Sequence, residues 1–156
     1  EVFPIGAIIG CGVDGRIASS LVVALLVIYR IPVGWQLLWL PWLIGIEVAF
    51  LLSLGLVAAA MNVFYRDVKY IVPLLTQLWL FVTPVIYAPS MVPEALRPWY
   101  MLNPMAVVID GIRRVVLQGE PPALQPLLVA TALLVPLGLA AYAYFKRVEV
   151  KFADLI

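Results

Sequence analysis

The chain offers few side chains for chemistry: 156 residues include nine acidic and ten basic ones, a single cysteine and no histidine. Without histidine, a histidine-based catalytic triad and the usual zinc sites are excluded. A nucleotide-binding P-loop needs glycines leading into Gly-Lys-Ser/Thr, so that backbone N–H groups and the lysine hold the phosphates. Lys69, Lys146 and Lys151 have no glycine before them. Cys11, in the apolar run AIIGCGV, has no disulfide partner within the chain and reads as a small buried hydrophobe. No catalytic residue, no metal ligand set and no cofactor bound by this chain are therefore expected.

What remains is ionic and aromatic. Asp14 and Glu47 fall inside apolar runs, where an ionisable group costs about 2.5–3.5 kcal/mol on insertion scales and is a functional candidate. Arg16 and Glu47 lie at similar depths in neighbouring runs, so an Arg16–Glu47 pair is predicted, either fixing helix register or serving transport. Asp14 and Arg16, two apart, face different sides of one helix. A second group, Asp110, Arg113, Arg114 and Gln118, recurs at i, i+3, i+4 and i+8. That is one stripe of an amphipathic helix whose other faces carry Met105, Val108, Ile109, Ile112, Val115 and Val116. Asp110 and Arg114 have the spacing of an i, i+4 ion pair.

The elements that must position these groups are built for lipid. Hydrophobic residues make up 65% of the chain and charged ones 12%, against about 25% charged in soluble proteins. Four apolar windows, about 5–29, 38–60, 70–87 and 124–145, approach or exceed the roughly 20 residues that cross a bilayer. The fold class expected is an all-α integral membrane protein, one domain of four transmembrane helices. Net charge is +1 with no basic cluster, which excludes nucleic acid as a partner. Trp35, Trp39 and Trp42 mark a headgroup interface. Arg66 and Lys69 in the connection 61–70 share a side with Lys146, Arg147 and Lys151 of the tail 146–156, and the positive-inside rule makes that side cytoplasmic. Arg30, Arg97, Arg113 and Arg114 fall opposite. The start at Glu1, with neither methionine nor signal-peptide features, reads as a trimmed chain.

The stretch TPVIYAPSMVPEALRPWYMLNP (83–104) is too apolar for an ordinary loop, and Pro84, Pro89, Pro93, Pro98 and Pro104 forbid a spanning helix. Pro93 suits the first turn of a short helix that Pro98 stops. Asn103 followed by Pro104 is a cap-plus-first-turn signal for a helix running to about Gln118 and ending at Gly119. Residues 88–119 are therefore expected to form a re-entrant pair of short helices between the third and fourth spans. Such backbone is tolerated at depth only inside protein or around a water-filled cavity. The alternative is an amphipathic anchor lying on the outer surface.

NVFYRDVKYIVPLLTQLWLFVTPVIY (62–87), LNPMAVVIDGIRRVVL (102–117) and the closing FKRVEVKFADLI resemble the permease subunit of type-2 ABC transporters that export polysaccharides such as O-antigen, capsule and teichoic acid. The resemblance implies a multi-pass permease of the bacterial plasma (inner) membrane. Such permeases have six spans, dimerise around a channel, and work with a separate ATP-binding subunit that carries ATP-Mg. On that mapping the windows are spans three to six, the first two spans and coupling helix are missing, and 88–119 is an external gate. Trp79, Phe81, Tyr87, Trp99, Tyr100, Asp110, Arg113 and Arg114 are then candidates for the translocation path and gate. Rings among them would stack on sugars of a lipid-linked polysaccharide, or else pack helices and anchor in headgroups. Arg66, Asp67 and Lys69 face the ATPase on this reading. The plainer one has Asp67 capping the third span and Lys69 at the lipid interface. Export of a drug or lipid, a membrane-embedded enzyme and a passive channel or assembly subunit remain as alternatives.

Overall fold

The computed structural model describes residues 20, 34–85, 87, 91–93 and 100–152, with side chains to residue 149. Among these, all regular structure is helical. The window 5–29, with Asp14 and Arg16, lies outside the described residues apart from Ser20, as do Trp99 and most of the short helix expected at 93–98.

A 3-10 turn, Trp35–Trp39, leads directly into α1 (Leu40–Phe64). Pro41 is tolerated there because a first-turn residue has no intrahelical N–H partner to lose. At 25 residues, α1 is about 37 Å long, enough for a hydrocarbon core of about 30 Å. A short connection leads to α2 (Val68–Val82). Its 15 residues reach only about 22 Å, so the third window, read from sequence as 70–87, is a shorter and earlier helix. The stop has a local cause: Thr83 precedes Pro84 and is driven to extended backbone (φ −103°, ψ 136°).

Helix α3 (Pro104–Arg113) starts as expected, with the Asn103 side chain accepting from the Met105 N–H. It continues as a wider π-helical stretch, Arg114–Gln118, and stops at Gly119, whose φ of 65° favours a residue without a Cβ. The end is where sequence puts it; the widening is not legible there. Helix α4 (Leu124–Phe152) extends past the expected 145, so the tail is helical to residue 152.

The contacts fix helix directions. Trp42 Nε1 reaches Thr131 Oγ1 at 3.3 Å near the start of α1 and α4, while Ala60 packs with Phe145 and Val148 near their ends. The two helices are therefore parallel, and the chain must return to its starting side between them. Part of that return is α2, which runs antiparallel to α1 with Trp79 tilted against Phe50 (6.0 Å between rings). Only three residues later α2 stops, whereas α1 has ten more residues between Phe50 and Leu40, about 15 Å of rise. Helix α3 occupies that level. Val107 and Val108 join Leu43, Ile46 and Phe50 of α1 and Leu127, Ala130 and Leu134 of α4 in the main core.

Little else is buried. In the most apolar stretches of α1 and α4 only 28% and 22% of residues are covered by protein, whereas the core helix of a soluble protein would be mostly covered. Leu38, Leu74, Leu75, Phe81, Leu128 and Leu139 are all exposed. Apolar surface on this scale requires lipid as the solvent, and the protein is an integral membrane protein.

Candidate functional site

The break between α2 and α3 gathers the polar groups that the spans lack. Ending α2 at Val82 leaves its last carbonyls without helical N–H partners. The chain supplies replacements from its own side chains. Tyr87 folds back so that its hydroxyl donates to the Phe81 carbonyl (2.8 Å). Arg113, on α3, donates through Nη2 to the carbonyls of Pro84 (3.1 Å) and, more weakly, Tyr87 (3.5 Å). Asn103 works in both directions, its Oδ1 accepting from the Met105 N–H (3.1 Å) and its Nδ2 donating to Thr83 Oγ1 (3.3 Å). Finally the Tyr100 hydroxyl donates to that of Tyr87 at 2.6 Å.

Five side chains thus tie the stub of α2 and the break to both ends of α3 and to Tyr100 just before it. Thr83 and Pro84 are buried, while Asn103, Tyr87, Tyr100 and Arg113 are half-buried. Burial, and then the bond to Tyr87, hold the Tyr100 phenol above its ordinary range, against the opposing pull of the Arg113 guanidinium. Arg113 Nη1 is buried without a hydrogen-bond partner among the described residues. Asp110 belongs to Arg114 (3.0 Å), as the i, i+4 spacing predicts.

Beneath this knot α3 runs close against α1: a Cβ built at Gly111 would lie 2.8 Å from Leu43 Cδ2, so a larger residue there would force Leu43 to shift.

The remaining candidates separate. Trp79 lies against Phe50 and so helps dock α2, while Phe81 is 64% exposed and projects away from the described helices. Glu47 is half-buried in α1 and has no ion-pair partner among the described residues; its expected partner Arg16 lies outside them. Arg66 and Lys69 are exposed at the far end of the bundle, Lys69 over the Tyr70 ring (4.8 Å). Asp67 stands at the N-cap of α2, but its side chain makes no cap bond; its backbone carbonyl accepts from Tyr70 and Ile71 instead. An αR backbone (φ −78°, ψ −15°) replaces the extended one that lets a capping side chain reach back. Sequence reasoning missed Thr83, and took Asn103 for a cap only. The signal for Thr83 was its place before Pro84.

Apolar helices with a polar knot folded between two of them define the class, an integral membrane protein of packed helices. The sequence pattern of the ABC-2 type transporter family matches residues 10–117, a stretch that includes α1, α2, the break and α3. The chain belongs to this family. It is 32% identical over 124 residues to an O-antigen export system permease protein RfbA of Myxococcus xanthus, covering 78% of this chain and 48% of that protein. To a protein of the same name from Klebsiella pneumoniae it is 25% identical over 159 aligned positions, 100% of this chain and 60% of the relative. The chain therefore spans about half to three-fifths of the length of these relatives.

Proposed function

We propose that the protein is the membrane-spanning permease subunit of an ATP-driven ABC exporter, moving polysaccharide or lipid-linked glycan across the bacterial plasma membrane. Family membership and the names of the relatives support the class. The observation that carries the mechanism is the knot joining the end of short α2 to α3 at the level of the first turns of α1. A free surface anchor would turn its apolar face to lipid. Here Val107 and Val108 are buried against protein, which favours the re-entrant reading.

In this reading residues 88–119 form an external gate that is held shut by side-chain bonds to backbone carbonyls. Such bonds are local and can be broken without unfolding a spanning helix. Phe81, Tyr87 and Tyr100 are the rings at the break that would stack on sugar faces as a glycan passes, and Trp99, outside the described residues, is a further candidate from the sequence. Trp79 keeps α2 on α1. Arg66, Asp67 and Lys69 belong to the cytoplasmic end, where a separate ATP-binding subunit holds ATP-Mg. Two permeases enclose the path, and the chain crosses the inner membrane several times. A drug or lipid as cargo is the second reading, since stacking rings serve flat apolar molecules as well.

The test is a double-cysteine lock, Thr83→Cys with Asn103→Cys and Cys11→Ala, in the assembled transporter. Oxidation should stop glycan export and reduction restore it. Export that continues with the lock fully formed would remove the gate. Co-purification with a Walker-motif ATPase, stimulated by lipid-linked glycan and not by lipophilic drugs, identifies the cargo class.

A further inference from the structure

One carboxylate within a span is left out of the knot. Glu47 lies about 10 Å along α1 from its first residue, Leu40, and makes no ion pair or hydrogen bond among the described residues. It is only half-buried, so part of it faces whatever fills the space beside α1. Carboxylates at such depth face a bundle interior or a water-filled cavity, because hydrocarbon offers them no hydrogen bonds.

The packing identifies that space. Leu43 and Phe50, at i−4 and i+3, share a stripe of α1 with Glu47. Phe50 lies against Trp79 of α2, and Leu43 against Gly111 of α3. Glu47 therefore stands between the parts of α1 that meet these two helices. Three residues of rise from the Phe50–Trp79 contact bring Glu47 and Val82 to about the same level, and α2 stops at Val82. A helical side chain leans toward its helix N-terminus, which for α1 is the side of the break. The carboxylate thus belongs to the seam left where α2 ends and α3 takes over.

We propose that this seam is hydrated and lines the translocation path, and that the Glu47 carboxylate accepts hydrogen bonds from water and from the hydroxyls of a passing glycan. Sugar rings carry hydroxyl donors around their edges; a carboxylate is an acceptor with two oxygens, and bonds to charged acceptors are the stronger kind. The inference rests on the export reading above and names the side chain of α1 that meets the cargo. It requires no movement of the break. The rival is the ion pair with Arg16 expected from sequence, in which Glu47 is a structural partner and meets no cargo.

The experiment has two arms, both in the assembled transporter with Cys11→Ala. In the first, Glu47→Cys and Val48→Cys are exposed to a membrane-impermeant maleimide and labelling is read on this chain. Val48 lies at nearly the same depth, about 100° around the helix, and is also exposed. Thiols react as thiolates, whose fraction falls about tenfold for each unit by which apolar surroundings raise the pKa, so position 47 should label at least about tenfold faster than 48. Equal rates, or no labelling at 47, overturn the hydrated seam whether or not the complex exports glycan. In the second arm, Glu47→Gln should slow glycan export by about tenfold, the factor that loss of one charge-assisted hydrogen bond carries, with the amount of assembled complex unchanged, and Glu47→Asp should recover part of the rate. Unchanged export by Glu47→Gln overturns the cargo contact. Loss of assembly in Glu47→Gln that Arg16→Leu restores makes Glu47 the partner of Arg16 and overturns the inference. A parent complex that exports no glycan overturns the export reading and the cargo contact with it, while the labelling arm still decides the seam.

Discussion

Gly111→Ala tests whether α3 is pinned to α1. In an isolated helix the change would be stabilising by about 1 kcal/mol, because alanine restricts the unfolded chain and glycine does not. In this structure the new Cβ would meet Leu43 Cδ2 at 2.8 Å, Cδ1 at 3.2 Å and Pro122 Cβ at 3.5 Å. Carbon atoms rest at about 3.5–4.0 Å, so Leu43 has to retreat by roughly 0.7 Å or more. Leu43 is fully buried in the main core, and its retreat displaces the side chains behind it. Overpacking of this kind costs about 1–3 kcal/mol, leaving a net loss of about 0–2 kcal/mol after the propensity gain. Leu43→Ala alone should be destabilising by about 2–5 kcal/mol through the cavity it opens. In that background the added methyl enters the void, and Gly111→Ala should become stabilising by about 1 kcal/mol. The coupling between the two changes is then about 1–3 kcal/mol. Reversible unfolding of the four proteins in mixed micelles, followed by tryptophan fluorescence, measures it. Additivity within about 0.5 kcal/mol would refute the close approach of α3 to α1 beneath the break.

Asn103→Ala removes the α3 cap and the bond to Thr83 together, and should be destabilising by about 1–2 kcal/mol in the same unfolding measurement; Asn103→Asp, which keeps the capping oxygen, should recover part of the loss. Arg113→Met keeps an apolar stem but removes the Nη2 donor that serves both the Pro84 and Tyr87 carbonyls; amide exchange at Thr83, Val85 and Tyr87 should accelerate in the purified protein, and unchanged exchange would count against the clamp. Because the folded pKa of Tyr100 is raised, the unfolded state binds fewer protons than the folded state once pH passes the ordinary tyrosine value of about 10. The Tyr100 contribution is therefore fully present below about pH 10 and is lost as pH rises through the folded value. Tyr100→Phe should flatten that alkaline decline in a pH series of unfolding midpoints, leaving the profile below pH 10 unchanged.

Much of the architecture is legible in the chain because the forces behind it are local. Apolar runs long enough for a bilayer announce α1 and α4, Asn103–Pro104 announces the start of α3, Gly119 its end, and Asp110 and Arg114 their own pair, each through contacts within one or two turns. The length of α2 was within reach too, since Thr83 before Pro84 fixes the stop. The Asp67 cap failed for a local reason of another kind: sequence names the residue at the position, and the backbone angle there decides whether its side chain can reach.

The tertiary structure decided the rest. Nothing in spacing says that Arg113 leaves its helical stripe for the carbonyls of Pro84 and Tyr87, that Thr83 meets Asn103, or that Trp79 rests on Phe50, because these partners are joined by the fold and lie 20 to 29 residues apart. Composition determined that the protein lives in lipid, and proline placement determined where one helix must fail. Which groups satisfy the carbonyls that the failure exposes depends on which helix is brought alongside, and that follows from packing at Gly111 and Leu43.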